Sequence, residues 1–105
     1  MNINAVNTLE VRLIEQPAPC FESLLKRYAT LFVKAKGCVA YSITQGPHEQ
    51  GLWVFSGYWS SASDMTAHFS SGAMTELVNH LVESSANLTF ASFAAPFAEA
   101  QCDDA

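Results

Sequence analysis

An α+β domain in the order strand, helix, strand, strand, helix, strand is what the sequence predicts, on three observations. Apolar residues recur at every second position in four segments, they recur at three- and four-residue spacing in the stretches between the outer pairs, and proline, glycine and serine punctuate the joins. This order is the split βαβ, or ferredoxin-like, arrangement, in which one antiparallel sheet carries helices on a single face.

The first strand is read from Leu9, Val11 and Leu13 alternating with Glu10, Arg12 and Ile14, and Pro17 and Pro19 end it. From Phe21 the apolar positions become Phe21, Leu24, Leu25, Tyr28, Leu31 and Phe32, one stripe of an amphipathic helix. Lys34, Lys36 and Gly37 then supply the cations and left-handed cap expected at its end. Cys38 to Gln45 is the second strand, with Val39, Tyr41 and Ile43 on one face and Cys38, Ala40, Ser42 and Thr44 on the other. Gly46-Pro47-His48-Glu49-Gln50-Gly51 reads as a hairpin loop. In Leu52 to Trp59 both alternating faces carry large apolar groups, as in a strand covered on both sides, by helices and by a partner. Ser61 and Asp64 have capping-box spacing and start a short helix bearing Met65, His68 and Phe69. Ser70-Ser71-Gly72 breaks it, and Met74, Leu77, Val78, Leu81 and Val82 form a fresh helical stripe. Leu88 to Phe93 is the last strand, followed by an acidic tail.

The 105 residues fit one domain, 1–105, with a core at about 8–95 and the tail at 96–105. Half the residues are apolar and only 14% are charged, so one small core leaves apolar surface over. The longest apolar runs fall far short of the roughly 20 residues a membrane helix needs. A second copy packed across a twofold axis against the bare sheet face is therefore the expected cover, and a homodimer is expected. A net charge of −5 with five Lys and Arg leaves no basic stripe for nucleic acid. The first residues show no signal for export, which points to the cytoplasm. Cys20, Cys38 and Cys102 lack Cys-x-x-Cys spacing and read as reduced thiols, with neither disulfide framework nor structural zinc.

Phosphate loops, nucleophile elbows and His-x-x-x-His pairs are missing from the sequence, so no cofactor and no metal is expected. His68 is the candidate catalytic residue, a general base with Asp64 one turn earlier placed to orient it. The alternative is a histidine bonded to backbone at the helix break. His80 reads as solvent-exposed and His48 as incidental. Tyr41, Trp53, Phe55, Tyr58 and Trp59 concentrate aromatic surface on the two strands taken as central, where they form either a pocket for a flat polycyclic or quinone-like ligand or ordinary core. Glu10 and Arg12 share a face of the first strand, as an ion pair or as ligand contacts.

Lys36-Gly37-Cys38 entering a strand with Tyr41, then Trp53-Val54-Phe55, Trp59-Ser60-Ser61 and His68 nine positions after Trp59 resemble the antibiotic biosynthesis monooxygenase domain, as does Leu9-Glu10-Val11-Arg12 followed by Pro17. The resemblance runs from Thr8 to Phe93 and implies a dimeric α+β barrel. It also implies oxidation of quinols or aromatic polyketides by O₂ without metal or flavin, with His68 and Trp59 in the site. The chain departs from the pattern at Gly57, where the family often has an acidic residue, and at Ala73, where it often has a second histidine. Those departures favour a noncatalytic dimeric module that binds a hydrophobic metabolite; a proton-transfer isomerase is a third reading. Asn7 matches the asparagine of the haem-degrading branch, but His68 occupies that branch's tryptophan position and Val78 lies near its histidine position, so haem degradation is not expected.

Overall fold

The structure is a computed structural model that describes residues 2–15 and 19–94. Its elements are β1 (Ala5–Leu13), α1 (Phe21–Phe32), β2 (Cys38–Gln45), β3 (Leu52–Trp59), α2 (Ala62–Phe69), α3 (Gly72–Glu83) and β4 (Ala86–Ala94). The strands form one antiparallel sheet in the order β2-β3-β1-β4, the ferredoxin-like topology expected. Pro17, the tail at 96–105 and Cys102 lie outside the described residues.

β1 begins four residues earlier than the Leu9 alternation indicates, because Ala5 and Asn7 continue its inward row; Ala5, Asn7, Leu9 and Val11 are all buried. β1 and β3 are the central strands. β2 is an edge strand, a correction to the placing of Tyr41 on a central one: only one of its two sides is paired, with β3. The alternation of β2 also needs correcting. A bulge between Cys38 and Ala40 puts Cys38 opposite Trp59 and Tyr41 opposite Gly57, so Cys38 shares the inner face with Tyr41 and Ile43, and Val39 is the extra residue.

The helices cover one face. Leu9, Val11, Trp53 and Phe55 meet Phe21, Leu25, Tyr28 and Phe32 of α1 and Met74, Leu77 and Leu81 of α3 in one cluster. Each such side chain, fully buried, contributes about 1.5–3 kcal/mol against an exposed reference. α1 ends at Phe32, earlier than Gly37; turns carry the chain onward, and Gly37 takes a φ of +82° at the entry to β2. The second helical stretch is two helices with separate caps. Ser61 Oγ accepts the Asp64 N–H and Ser71 Oγ accepts the Met74 N–H, each at 3.1 Å. The opposite face of the sheet holds Val6, Thr8, Leu52, Val54, Ser56, Tyr58 and Phe93, the last 63% exposed.

Candidate active site

The site follows from sheet register. Asn7 on β1, Gly57 on β3 and Tyr41 on β2 stand directly opposite one another across three strands, and Trp59 lies two residues along β3 on the same face. His68 lies in the last turn of α2, above them, and Phe32 closes the group from the end of α1. Asn7 and Trp59 have no exposed surface, and His68 is 3% exposed.

These polar groups form one chain. Trp59 Nε1–H donates to Asn7 Oδ1 at 2.7 Å, Asn7 Nδ2–H donates to Tyr41 Oη at 3.1 Å, and Tyr41 Oη lies 2.9 Å from His68 Nε2. An indole N–H only donates, so the Asn7 atom facing it must be the carboxamide oxygen, and the amide nitrogen is left to donate to Tyr41. The phenolic proton then has one acceptor among the bonds described, His68 Nε2. The imidazole is accordingly neutral and carries its proton on Nδ1.

Burial supports the same assignment. It pushes His68 down from the usual histidine value to about 4 and Tyr41 up to about 12, the latter against the Asn7 hydrogen bond, which works in the opposite direction. Both are neutral at pH 7. The His68 ring packs edge-on to Phe32 with centroids 4.6 Å apart, and lies 4.9 Å from Trp59. A neutral base bonded to a phenol in an aromatic enclosure can take up a proton when a nearby anion offsets the cost of a buried imidazolium.

Beside this group a cavity of about 480 Å³ opens between α3 and the edge strand β4, lined by Phe69, Met74, Val78, Asn79, Phe90 and Ser92 among others. Its size is that of a site for a small organic ligand. It adjoins the buried chain at two points: Ser92 is the cross-strand partner of Asn7, and the Phe69 ring lies 6.0 Å from the ring of His68.

The residues singled out by sequence thus divide. His68, Tyr41 and Trp59 come together. Phe55 is fully buried beneath them, its ring 6.3 Å from that of Tyr41. Trp53 lies six residues back along β3, ~20 Å from Trp59 at strand rise, in the main core; its buried Nε1 has no hydrogen-bond partner. Arg12 lies on the other face, where it pairs with Glu49 and, at 3.9 Å, with Glu10. Asp64 is not bonded to His68: its carboxyl group lies over Gly37, in the space a Cβ there would occupy, and Tyr41 orients the imidazole instead. His48 and His80 are exposed.

Sequence reasoning missed Asn7 as a member of the chain and the cavity walls Phe69, Met74, Val78 and Phe90. The signal for Asn7 is a carboxamide in the inward row of an otherwise apolar strand. For the cavity there was none, since Met74 and Val78 belong to an ordinary helical stripe. Among the described residues no three His, Cys, Asp or Glu side chains gather as metal ligands, and no helix is long and apolar enough to cross a membrane.

Known proteins share this architecture. An antibiotic biosynthesis monooxygenase-type protein from Deinococcus radiodurans is similar at TM-score 0.79, with 16% identity over 87% of this chain and 91% of that chain. A conserved protein from Methanosarcina mazei is similar at TM-score 0.75, with 16% identity over 89% and 94%. SnoaB from Streptomyces nogalater, a cofactor-independent oxygenase, is similar at TM-score 0.74, with 16% identity over 90% and 94%. At such identities the likeness shows the fold. No curated protein matches the chain. The model of the antibiotic biosynthesis monooxygenase family matches residues 5–80, well over half of the sequence, and the chain belongs to that family.

Proposed function

We propose that the protein is a cofactor-independent monooxygenase for a small aromatic or quinol-like compound held in the cavity between α3 and β4. The observation that carries this reading is the hydrogen-bonded chain from Trp59 through Asn7 and Tyr41 to a neutral His68, separated from an apolar cavity by the ring of Phe69. Net chemistry of the class converts a substrate CH₂ or ring C–H into a carbonyl with one atom of O₂, and the other atom leaves as water; the substrate supplies all four electrons. The protein's part is to lower the cost of the substrate anion that reacts with O₂. His68 Nε2 is the proton's destination by way of Tyr41, whose hydroxyl passes its own proton to Nε2 as it takes up the substrate's. Because burial holds His68 near 4, the imidazolium becomes favourable only beside the bound anion.

Support comes from the family match and from the likeness to SnoaB, itself described as a cofactor-independent oxygenase. The working form in this reading is a cytoplasmic homodimer of the single domain 1–105, the bare sheet faces packed together into the dimeric barrel. Gly57 and Ala73, standing where relatives often carry an acid and a histidine, favour a second reading, a module that binds a hydrophobic metabolite without turnover.

Oxygen uptake with a panel of quinols and polycyclic phenols separates the two. The expected result is uptake by the native protein that falls roughly 100-fold or more in His68→Gln. Binding without uptake for every compound refutes the monooxygenase reading and leaves the binding module.

A further inference from the structure

We propose that Gly57 is a positioning residue: its missing side chain is what lets Tyr41 direct its hydroxyl proton at His68 Nε2. The inference rests on the reading of Tyr41 and His68 as the proton-handling pair.

Gly57 is the middle member of a three-strand row, with Asn7 directly opposite on β1 and Tyr41 directly opposite on β2. Side chains at directly opposed positions of an antiparallel pair stand roughly 4.5–5.5 Å apart at Cβ. Two residues on either side of a third are therefore normally separated by that third side chain. Here they are not: Asn7 Nδ2 reaches Tyr41 Oη at 3.1 Å across the glycine. The strip above Gly57 is already filled. A Cβ built there falls inside the contact distance of Asn7 Oδ1, and lies 2.5 Å from Tyr41 Cε2 and 2.9 Å from Tyr41 Cδ2. The glycine's backbone has no positive φ, and left-handed geometry is therefore not the reason for it. The reason is room.

The two side chains that a methyl group would strike are each held by a further bond. Asn7 Oδ1 holds the Trp59 indole N–H, and the ring of Tyr41 carries the hydroxyl that meets His68. β1 and β3 are the central strands, paired on both sides, so the backbone has little freedom to widen there. Tyr41 sits on the edge strand and is only half-buried, which makes it the member that moves. A methyl group at 57 thus acts on the proton between Tyr41 and His68 through the Tyr41 ring, which it meets directly.

The test reads the ring nitrogens of His68 by ¹⁵N NMR in ligand-free protein. Native protein is expected to show the Nδ1–H tautomer with Nε2 as acceptor. Gly57→Ala is expected to shift His68 toward the Nε2–H form, as Tyr41→Phe does. A Gly57→Ala spectrum that keeps the native pattern overturns the proposal. Should that variant fold poorly, Asn7→Ala is compared with Asn7→Ala/Gly57→Ala. The single variant leaves Tyr41 on His68 and keeps the native tautomer, the double variant loses it, and identical spectra overturn the proposal. Turnover adds an independent arm. Gly57→Ala is expected to slow oxygen uptake by about the same factor as Tyr41→Phe, and to add less than about twofold in the Tyr41→Phe background, because the two changes break one link. Multiplying factors overturn it. Absence of uptake from native protein refutes the proposed function, while the tautomer measurement still decides the role of Gly57.

Discussion

Acidification should unfold this protein through one histidine. His68 is 3% exposed and its burial lowers its pKa to about 4, against 6.5 for a free histidine. Between those values the unfolded chain binds a proton that the folded chain refuses, so stability is fully present above pH 6.5 and falls as pH drops toward 4. Below 4 both states are protonated and the loss is complete. At about 1.4 kcal/mol per pH unit the total is about 3 kcal/mol, a large share of the 5–15 kcal/mol typical of a domain. Urea unfolding of the native protein and of His68→Gln, at fixed protein concentration from pH 7.5 to 3.5, measures it. Carboxylates contribute alike to both proteins and cancel in the difference. The native protein should lose about 3 kcal/mol more than the variant, mostly between pH 6 and 4. Parallel curves would mean that His68 is protonated at little cost and that the phenol-to-imidazole bond is misassigned.

The two tryptophans of β3 should respond differently to loss of the indole nitrogen. Trp59→Phe leaves Asn7 Oδ1 buried without its donor, whereas Trp53→Phe removes an N–H that already has no partner. Trp59→Phe should therefore cost about 1–3 kcal/mol more in urea unfolding, and equal losses would contradict the difference. Val78→Trp, on the half-buried wall of the cavity, should weaken binding of an anthraquinone probe by more than tenfold on titration while leaving the circular dichroism spectrum unchanged. Unaltered binding would place the ligand elsewhere.

Much of the fold is legible because local signals agree. The bounds of β2 and β3 follow from their flanking glycines and the hairpin loop, and the Ser61 cap sits where the sequence puts a helix start, while Ser71, read only as part of a break, caps the next helix. The inner face of β2 is not legible, because nothing in Cys38-Val39-Ala40 announces a bulge, and one extra residue inverts the alternation ahead of it. In the site, His68, Tyr41 and Trp59 stand out by chemistry. Their meeting depends on contacts 27 and 52 residues apart, as in the bonds Tyr41 to His68 and Asn7 to Trp59; the docking of α2 over the sheet creates the first and sheet register the second. Strand parity was the more useful guide to Arg12. It alternates with Leu9 and Val11, so whichever face those residues bury, Arg12 must take the other.

The Trp59–Asn7 bond has a consequence for how the chain finds its native pairing. Ala5, Asn7, Leu9 and Val11 all face inward, so a slip of β1 against β3 by one residue is prevented by hydrophobicity, since it would turn the whole row out to water. A slip by two is not: it exchanges one inward residue for the next and leaves the oily face oily. What distinguishes the correct alignment from its neighbours two residues away is that only Asn7 offers an oxygen to the buried indole; with Ala5 or Leu9 in its place that N–H goes unmet, at about 1–3 kcal/mol. Apolar residues thus choose the side of the strand, and a single carboxamide chooses the notch, so the same group that prepares the site also rejects misaligned sheets during folding.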